Sequence, residues 1–115
     1  MNLRKMVISG REAGVVWTLE NSGDLNTNLV RFPAGEGVGE HVNDEVDVIF
    51  VGISGSGFVN VDGSDHQLPD GALVFVPKGL QRSTHSKSDD FAYLTVHRRR
   101  GPLQLGRDQK TEGGA

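Results

Sequence analysis

The stretch that decides the fold is residues 71–82, which read GALVFVPKGLQR. Residues 72–76 form a short apolar run of strand length, rich in residue types that favour β-strands. Pro77 ends this run, because proline has no N–H to donate to a β-ladder. Gly79 then allows the chain to turn tightly, because glycine tolerates backbone angles that other residues avoid. The stretch therefore predicts one short strand followed by a tight turn into the next.

The same alternation of short strands and turn residues continues on both sides of this stretch. Asp62-Gly63 is a strong signal for a two-residue hairpin turn, and no amphipathic helix of useful length is evident. The predicted strands are 15–19, 25–32, 47–53, 58–61, 72–76, 80–85 and 91–98. Many short strands at regular spacing predict an all-β protein, either a sandwich or a closed barrel.

Length and composition set the size and class of the protein. A chain of 115 residues has room for one domain. We assign residues 1–106 to that domain, and we predict that the polar, glycine-rich residues 107–115 form a disordered tail. An apolar share of 36% with a charged share of 23% is typical of globular proteins. Because the chain has no cysteine, disulfide frameworks, zinc fingers and cysteine nucleophiles are excluded.

The net charge of −3 argues against nucleic-acid partners, which usually bind basic domains. We interpret the one basic run, residues 98–100, as a solvated strand end or as a source of salt bridges to neighbouring residues, in preference to a patch that binds a phosphate backbone. The longest apolar stretch, near residues 48–53, is far too short to cross a bilayer. No signal peptide is evident. We therefore expect a cytoplasmic protein with neither nucleic-acid nor membrane partners.

A spacing motif runs through the stretch that decides the fold. Gly71, Pro77 and Gly79 stand in the pattern glycine, five residues, proline, one residue, glycine. This pattern resembles the second signature motif of the cupin family, which continues with two residues, a histidine, three residues and an asparagine. Arg82 stands at the histidine position and Ser86 at the asparagine position.

The first cupin motif has a counterpart upstream. Gly35 is followed after five residues by His41, which matches the first histidine of the family motif. Asn43 stands where the family has its second histidine, and Asp47 stands where it has glutamate. The resemblance covers roughly residues 25–100. It implies a cupin-type double-stranded β-helix, which is a jelly-roll barrel, and it implies that homodimers are common. We place the candidate dimer contacts at the N-terminal strand and at residues 103–105.

The resemblance also implies a metal site, which this sequence alters. In the family, three histidines and one glutamate inside the barrel mouth hold a divalent transition metal. His41 remains a good ligand, and Asp47 is one methylene shorter than glutamate. Asn43 offers only a neutral amide oxygen. Arg82 cannot coordinate a metal, because its guanidinium stays protonated.

A metal would therefore need a further ligand, and His97 is the best candidate. His97 shares its strand face with Tyr93 and Thr95. The opposite face carries Ala92, Leu94 and Val96, which is more apolar, and we predict it to be the core side. No bound metal is expected; if one were bound, its ligands would be His41, Asp47 and His97.

Strand periodicity predicts which residues share the barrel interior. His41, Asn43 and Asp47 have the same parity, so a regular strand would point them the same way. Ile49, Val51 and Ile53 continue this parity, which predicts that Asp47 also faces inward. Ile49, Val51 and Phe75 are the predicted apolar walls of an interior pocket.

Three hypotheses of function remain open. In the first, Arg82, His41 and Asn43 bind a small acidic metabolite without a metal, since a guanidinium suits carboxylates and phosphates. In the second, His41 and Asp47 hold a metal in an isomerase, dioxygenase or decarboxylase of the cupin type. In the third, the barrel is structural or binds a partner, and an Arg82–Asp47 pair only fills its interior.

Overall fold

The computed structural model describes residues 1–9 and 12–99 as one short helix and nine strands. The elements are α1 (Leu3–Ser9), β1 (Gly14–Thr18), β2 (Leu25–Phe32), β3 (His41–Val42), β4 (Val48–Ser54), β5 (Gly57–Val61), β6 (Ser64–Gln67), β7 (Leu73–Val76), β8 (Gln81–Ser86) and β9 (Phe91–Arg98). Each strand predicted from the sequence is present within two residues of its predicted bounds. The helix α1 was not predicted, because seven residues are too few to show a clear helical period.

The strands form two antiparallel sheets. The first has the order β1-β2-β9-β4-β7, and the second has the order β3-β8-β5-β6. Neighbours far apart in sequence, such as β2 with β9 and β5 with β8, are paired along most of their length. This non-local pairing of two facing sheets confirms the predicted all-β jelly-roll barrel.

The β5–β6 hairpin shows why its turn could be predicted from the sequence. Asp62 and Gly63 both have positive φ angles, of 51° and 88°. A two-residue turn with positive φ at both positions matches the twist of the strands that it joins. The predicted Asp62-Gly63 turn is therefore confirmed, and Val61 pairs directly with Ser64 across it.

The main core lies between the two sheets. Its fully buried members are Val30, Val46, Val48, Phe50, Val59, Leu68, Val76, Phe91 and Tyr93. On β4 the inward residues are Val48 and Phe50. On β9 they include Phe91 and Tyr93, so the odd-numbered face of β9 points into the barrel. The prediction that Ala92, Leu94 and Val96 form the core side was wrong.

The face of β9 was assigned wrongly because a second apolar layer lies on the outside of the larger sheet. Val7 of α1 packs there against Leu29 and Ala92, with Leu94 and Ile53 around them. Both faces of this part of the sheet are thus covered, and burial makes both faces apolar. An apolar face of a strand therefore does not by itself identify the barrel interior.

Some predictions fall on residues outside this description. The tail at 107–115, the dimer contact at 103–105 and the end of the basic run at Arg100 all lie outside residues 1–9 and 12–99. Within the described ranges, no helix combines the length and apolar character that crossing a bilayer requires.

Candidate functional site

The barrel interior is apolar at one end and polar at the other. At the apolar end, a side chain on Gly57 would meet the ring of Phe91. Midway, Tyr93 of one sheet hydrogen-bonds Thr84 of the other, with 3.0 Å between their hydroxyl oxygens. One step further along the same two strands lie Thr95 and Arg82. We call this polar region the Arg82 end; it comprises His41, Asn43, Arg82, Thr95 and His97.

Arg82 lies on the inner face of β8, between its register partners His41 on β3 and Val61 on β5. Its side chain is only 1% exposed. Nε donates to the carbonyl oxygen of Leu80 at 2.9 Å, and Nη2 donates to that of Pro77 at 3.1 Å. These carbonyls belong to the turn before β8 and hold the guanidinium in place. The inward position predicted for Arg82 is confirmed.

Asn43 is also buried, at 7% exposure, and its side chain shapes the chain around it. Its Oδ1 accepts hydrogen bonds from the backbone N–H groups of Glu45 at 2.9 Å and Val46 at 3.2 Å. This arrangement is an Asx-type turn. The Nδ2 amide of Asn43 is buried and has no hydrogen-bond partner among the described residues. A buried donor without an acceptor costs about 1–3 kcal/mol, so this amide is suited to receive a ligand acceptor.

The same turn removes Asp47 from the site. Because β3 ends at Val42 and the Asn43 turn interrupts the strand, the period-two pattern does not continue from His41 to β4. Asp47 is exposed on the outside, where its Oδ1 accepts the backbone N–H of Lys78 at 2.9 Å. The predictions that Asp47 faces inward and pairs with Arg82 were therefore wrong.

The residues predicted as apolar walls of the interior also lie on the opposite face from the one predicted. Phe75 is exposed, and its register partner Ile49 lies beside it on the outer face of the larger sheet. Val51 is on that face as well, opposite Leu73. The walls of the interior near Arg82 are instead the inward residues of β4 and β7, Val48, Phe50 and Val76.

Strand β9 adds two polar residues to the Arg82 end. His97 is buried opposite Asn26, and its Nδ1 donates to the carbonyl oxygen of Arg98 at 2.8 Å. Thr95 is buried opposite Asn28, and its hydroxyl has no hydrogen-bond partner within residues 1–9 and 12–99. From the sequence, His97 was expected at the site only as a metal ligand, and Thr95 was not expected there because its residue type and spacing carry no functional signal.

His41 lies at the rim of the Arg82 end and is half-buried. Its Nδ1 donates to the carbonyl oxygen of Gly39 at 2.9 Å, which fixes the orientation of the ring. Because it pairs directly with Arg82 across β3 and β8, the two side chains lie on the same face of the sheet. The structure thus brings His41 and Arg82 together and leaves Asp47 apart from them.

Comparison with known proteins assigns the family. Residues 28–97 match the family model of the cupin domain (Cupin_2), which is more than half of the chain. This chain belongs to the cupin family. The match begins within β2, ends within β9 and includes every residue of the Arg82 end. No curated protein matches this cupin.

Solved structures agree with this assignment. KdgF from Halomonas sp. is 19% identical, with a TM-score of 0.68 over 77% of this cupin and 81% of that chain. TT1209 from Thermus thermophilus is 20% identical, with a TM-score of 0.72 over 88% and 97%. BH2720 from Bacillus halodurans is 15% identical, with a TM-score of 0.73 over 89% and 82%. At such low identity these similarities show the fold alone.

The donor set at the Arg82 end does not fit the metal site that cupins commonly have. Within residues 1–9 and 12–99, no three His, Asp or Glu side chains converge as metal ligands. Asp47 points away, Asn43 uses its amide oxygen in the turn, and Arg82 places a permanent cation at the position of a family ligand. A divalent cation beside a buried guanidinium is electrostatically unfavourable.

Tyr93 gives this cupin a predicted pH dependence. Burial raises the pKa of Tyr93, against the smaller opposing effect of its hydrogen bond to Thr84. Above about pH 10 the unfolded chain therefore loses a phenol proton that the folded chain keeps. The free energy of unfolding should fall as pH rises through this range.

The matched variant is Tyr93→Phe. It should lose about 1 kcal/mol near neutral pH, because the Thr84 hydrogen bond is removed, and it should show a flatter decline at high pH. The chain has one tyrosine, so the ultraviolet absorbance of phenolate reports on it alone. Phenolate appearing near pH 10 in the native protein would contradict this prediction.

Proposed function

We propose that this cupin binds a small acidic metabolite, with a carboxylate or phosphate group, at the Arg82 end of its barrel, without a metal. The observation that carries the proposal is the Nδ2 amide of Asn43, which is buried without a partner among the described residues. This amide is on the segment that closes over the turn before β8, since the backbone N–H of Gly79 donates to the carbonyl oxygen of Asn43 at 2.8 Å. It is a neutral donor that a ligand oxygen can satisfy.

Arg82 supplies the charge in this proposal. Its guanidinium is a planar fork of donors, which suits the planar oxygens of a carboxylate and also binds phosphate. The carbonyl oxygens of Leu80 and Pro77 accept from it and hold the guanidinium at the polar end of the barrel. Burial strengthens its attraction for an anion, because the dielectric constant inside a protein is lower than in water.

Thr95 and His97 complete the proposed cradle from the facing sheet. The Thr95 hydroxyl, buried with no partner in the described part of the chain, can donate to a ligand oxygen or accept from a ligand hydroxyl. Val48, Phe50 and Val76 provide apolar walls. A few polar groups within apolar walls are the usual composition of a small-molecule site.

The test is a screen of small carboxylates and phosphates for thermal stabilisation of untagged protein. A ligand at about 100 times its Kd stabilises the folded state by about 2.7 kcal/mol, which corresponds to a rise in Tm of roughly 10 °C for a domain of this size. Asn43→Asp keeps the oxygen that caps Glu45 and Val46 but replaces the amide donor with a negative oxygen. It should lose the stabilisation by anions, as should Arg82→Leu.

The matched control is Asn2→Asp. Asn2 also caps the backbone, because its Oδ1 accepts the N–H of Lys5 at 2.9 Å, but it is exposed and far from the barrel interior. This variant should keep the full response to the ligand. If anions still stabilised both Asn43→Asp and Arg82→Leu, binding at the Arg82 end would be contradicted. A stoichiometric transition metal found by elemental mass spectrometry would contradict its metal-free character.

A further inference from the structure

Strand β7 leaves an apolar edge of the larger sheet uncovered. It is the last strand of the order β1-β2-β9-β4-β7. Its two outward residues, Leu73 and Phe75, are 60% and 54% exposed, the highest values among the large apolar residues of the described strands. Beneath them, Val51 and Ile49 of β4 are half-buried on the same face. An exposed edge with apolar side chains favours pairing with another chain.

The hydrogen-bonding groups of this edge can be assigned from its pairing with β4. The backbone N–H of Gly52 donates to the carbonyl oxygen of Ala72 at 2.8 Å, so this carbonyl points towards β4. Successive residues of a strand point their backbone groups to opposite sides. Leu73 and Phe75 therefore direct their N–H and C=O groups away from β4, towards the open edge, and those of Val74 point towards β4.

We propose that β7 pairs antiparallel with β7 of a second copy of this chain, about a two-fold axis that passes between Val74 of one copy and Val74 of the other. Leu73 then lies opposite Phe75 of the second copy, and each such pair exchanges two N–H···O bonds. The side chain of Phe75 packs against Leu73 of the second copy above Ile49 and Val51. The contact is isologous, since the same residues serve both chains, and it closes as a dimer.

Charge favours a second copy over an unrelated strand. Asp70 precedes β7 and Lys78 follows it, each four residues from Val74. Antiparallel pairing about Val74 brings Asp70 of one chain near Lys78 of the other, and this happens twice. Asp70 already forms an exposed ion pair with Arg4 of its own chain. The charges therefore set register and direction, and the apolar pair supplies most of the affinity.

Proline limits the length of this contact. Pro69 and Pro77 bracket β7 and have no N–H to donate to a neighbouring strand. Pairing therefore stops after Leu73 and Phe75 instead of extending along the chain. This position differs from the dimer contacts expected from the sequence, since β1 is at the opposite edge of the same sheet.

The test is sedimentation equilibrium of the full chain. Wild type should be dimeric at roughly 100 µM, a concentration that detects even weak association. Phe75→Glu should be monomeric and still folded by circular dichroism, because the residue is exposed. Val15→Glu is the matched control, since Val15 is 44% exposed on β1, and it should stay dimeric. A monomeric wild type at this concentration overturns the proposal.

Charge reversal tests the register. Lys78→Glu and Asp70→Lys each place two like-charged contacts in the proposed dimer, and each should dissociate about tenfold more readily. An equal mixture of the two variants restores both opposite-charge contacts and should form a heterodimer close to wild type in affinity. A mixture no tighter than either variant overturns the register. A dimer broken by Leu103→Glu or Val15→Glu but not by Phe75→Glu assigns the contact elsewhere and overturns the proposal.

Discussion

Replacement of Phe50 by alanine is expected to lower the free energy of unfolding by about 3–5 kcal/mol. Phe50 is 1% exposed at the centre of β4, and its ring centroid lies 5.6 Å from that of Tyr93. Its neighbours across the interior are fixed by both sheets, so they cannot collapse into the space that the ring would leave. The measurement is chemical denaturation at neutral pH.

Phe75→Ala is the matched control for this change. The substitution is chemically the same, but the side chain is on the outer face of the neighbouring strand and is more than half exposed. Its cost should stay within about 1 kcal/mol. Both variants need a series of protein concentrations, because association contributes to apparent stability. Equal losses for the two variants would mean that β4 does not direct Phe50 into the core.

This pair of variants tests the point at which sequence reasoning was weakest. The positions of seven of the nine described strands were predictable, because the ends of those strands are set by local chemistry, whereas the short strands β3 and β6 were not predicted. Pro77 and Gly79 end β7, and Asp62-Gly63 turns the chain between β5 and β6. Such signals act over a few residues and do not depend on what the strand packs against.

Which face of a strand points into the barrel depends on packing against residues that are distant in sequence. In the larger sheet both faces carry apolar residues, so either could be taken for the inner one. Residues 48–51 of β4 are all apolar, so alternation gives no direction. The outer face is apolar because α1 covers part of it, where Val7 packs on Ala92 and Leu29. Because α1 was not foreseen, the more apolar face of β9 was assigned to the interior.

The candidate site was predictable where a motif fixed the register and not elsewhere. Gly71, Pro77 and Gly79 place the turn before β8, and that turn points Arg82 inward. His41 follows, because β3 pairs with β8 opposite Arg82. Asp47 was misplaced because the Asn43 side chain ends the regular strand, an effect of one hydrogen-bonded turn that residue spacing does not reveal.

Gly52→Ala is expected to be among the most disruptive single-methyl additions in the chain, with a loss above about 3 kcal/mol. A Cβ on Gly52 would overlap the backbone carbonyl oxygens of Leu68 and Pro69, which cross the inner side of β4. Neither partner can retreat easily. The N–H of Gly52 donates to Ala72 at 2.8 Å, and its carbonyl oxygen accepts from Gly71 at 2.9 Å, so the two segments are tied together.

Alanine variants at two further glycines distinguish the stability cost of steric overlap from the cost of an unfavourable backbone conformation. Gly39→Ala meets no described atom within 4 Å and has no positive φ, so the free energy of unfolding should change by less than about 0.5 kcal/mol. Gly71→Ala also meets no described atom, but its φ of +88° is unfavourable for alanine and should cost about 1–2 kcal/mol. If all three variants were equally stable, the Leu68–Pro69 segment would not lie against β4. The expected order, Gly39 least and Gly52 most affected, follows because a clash between two hydrogen-bonded backbones has no side chain that can move to relieve it.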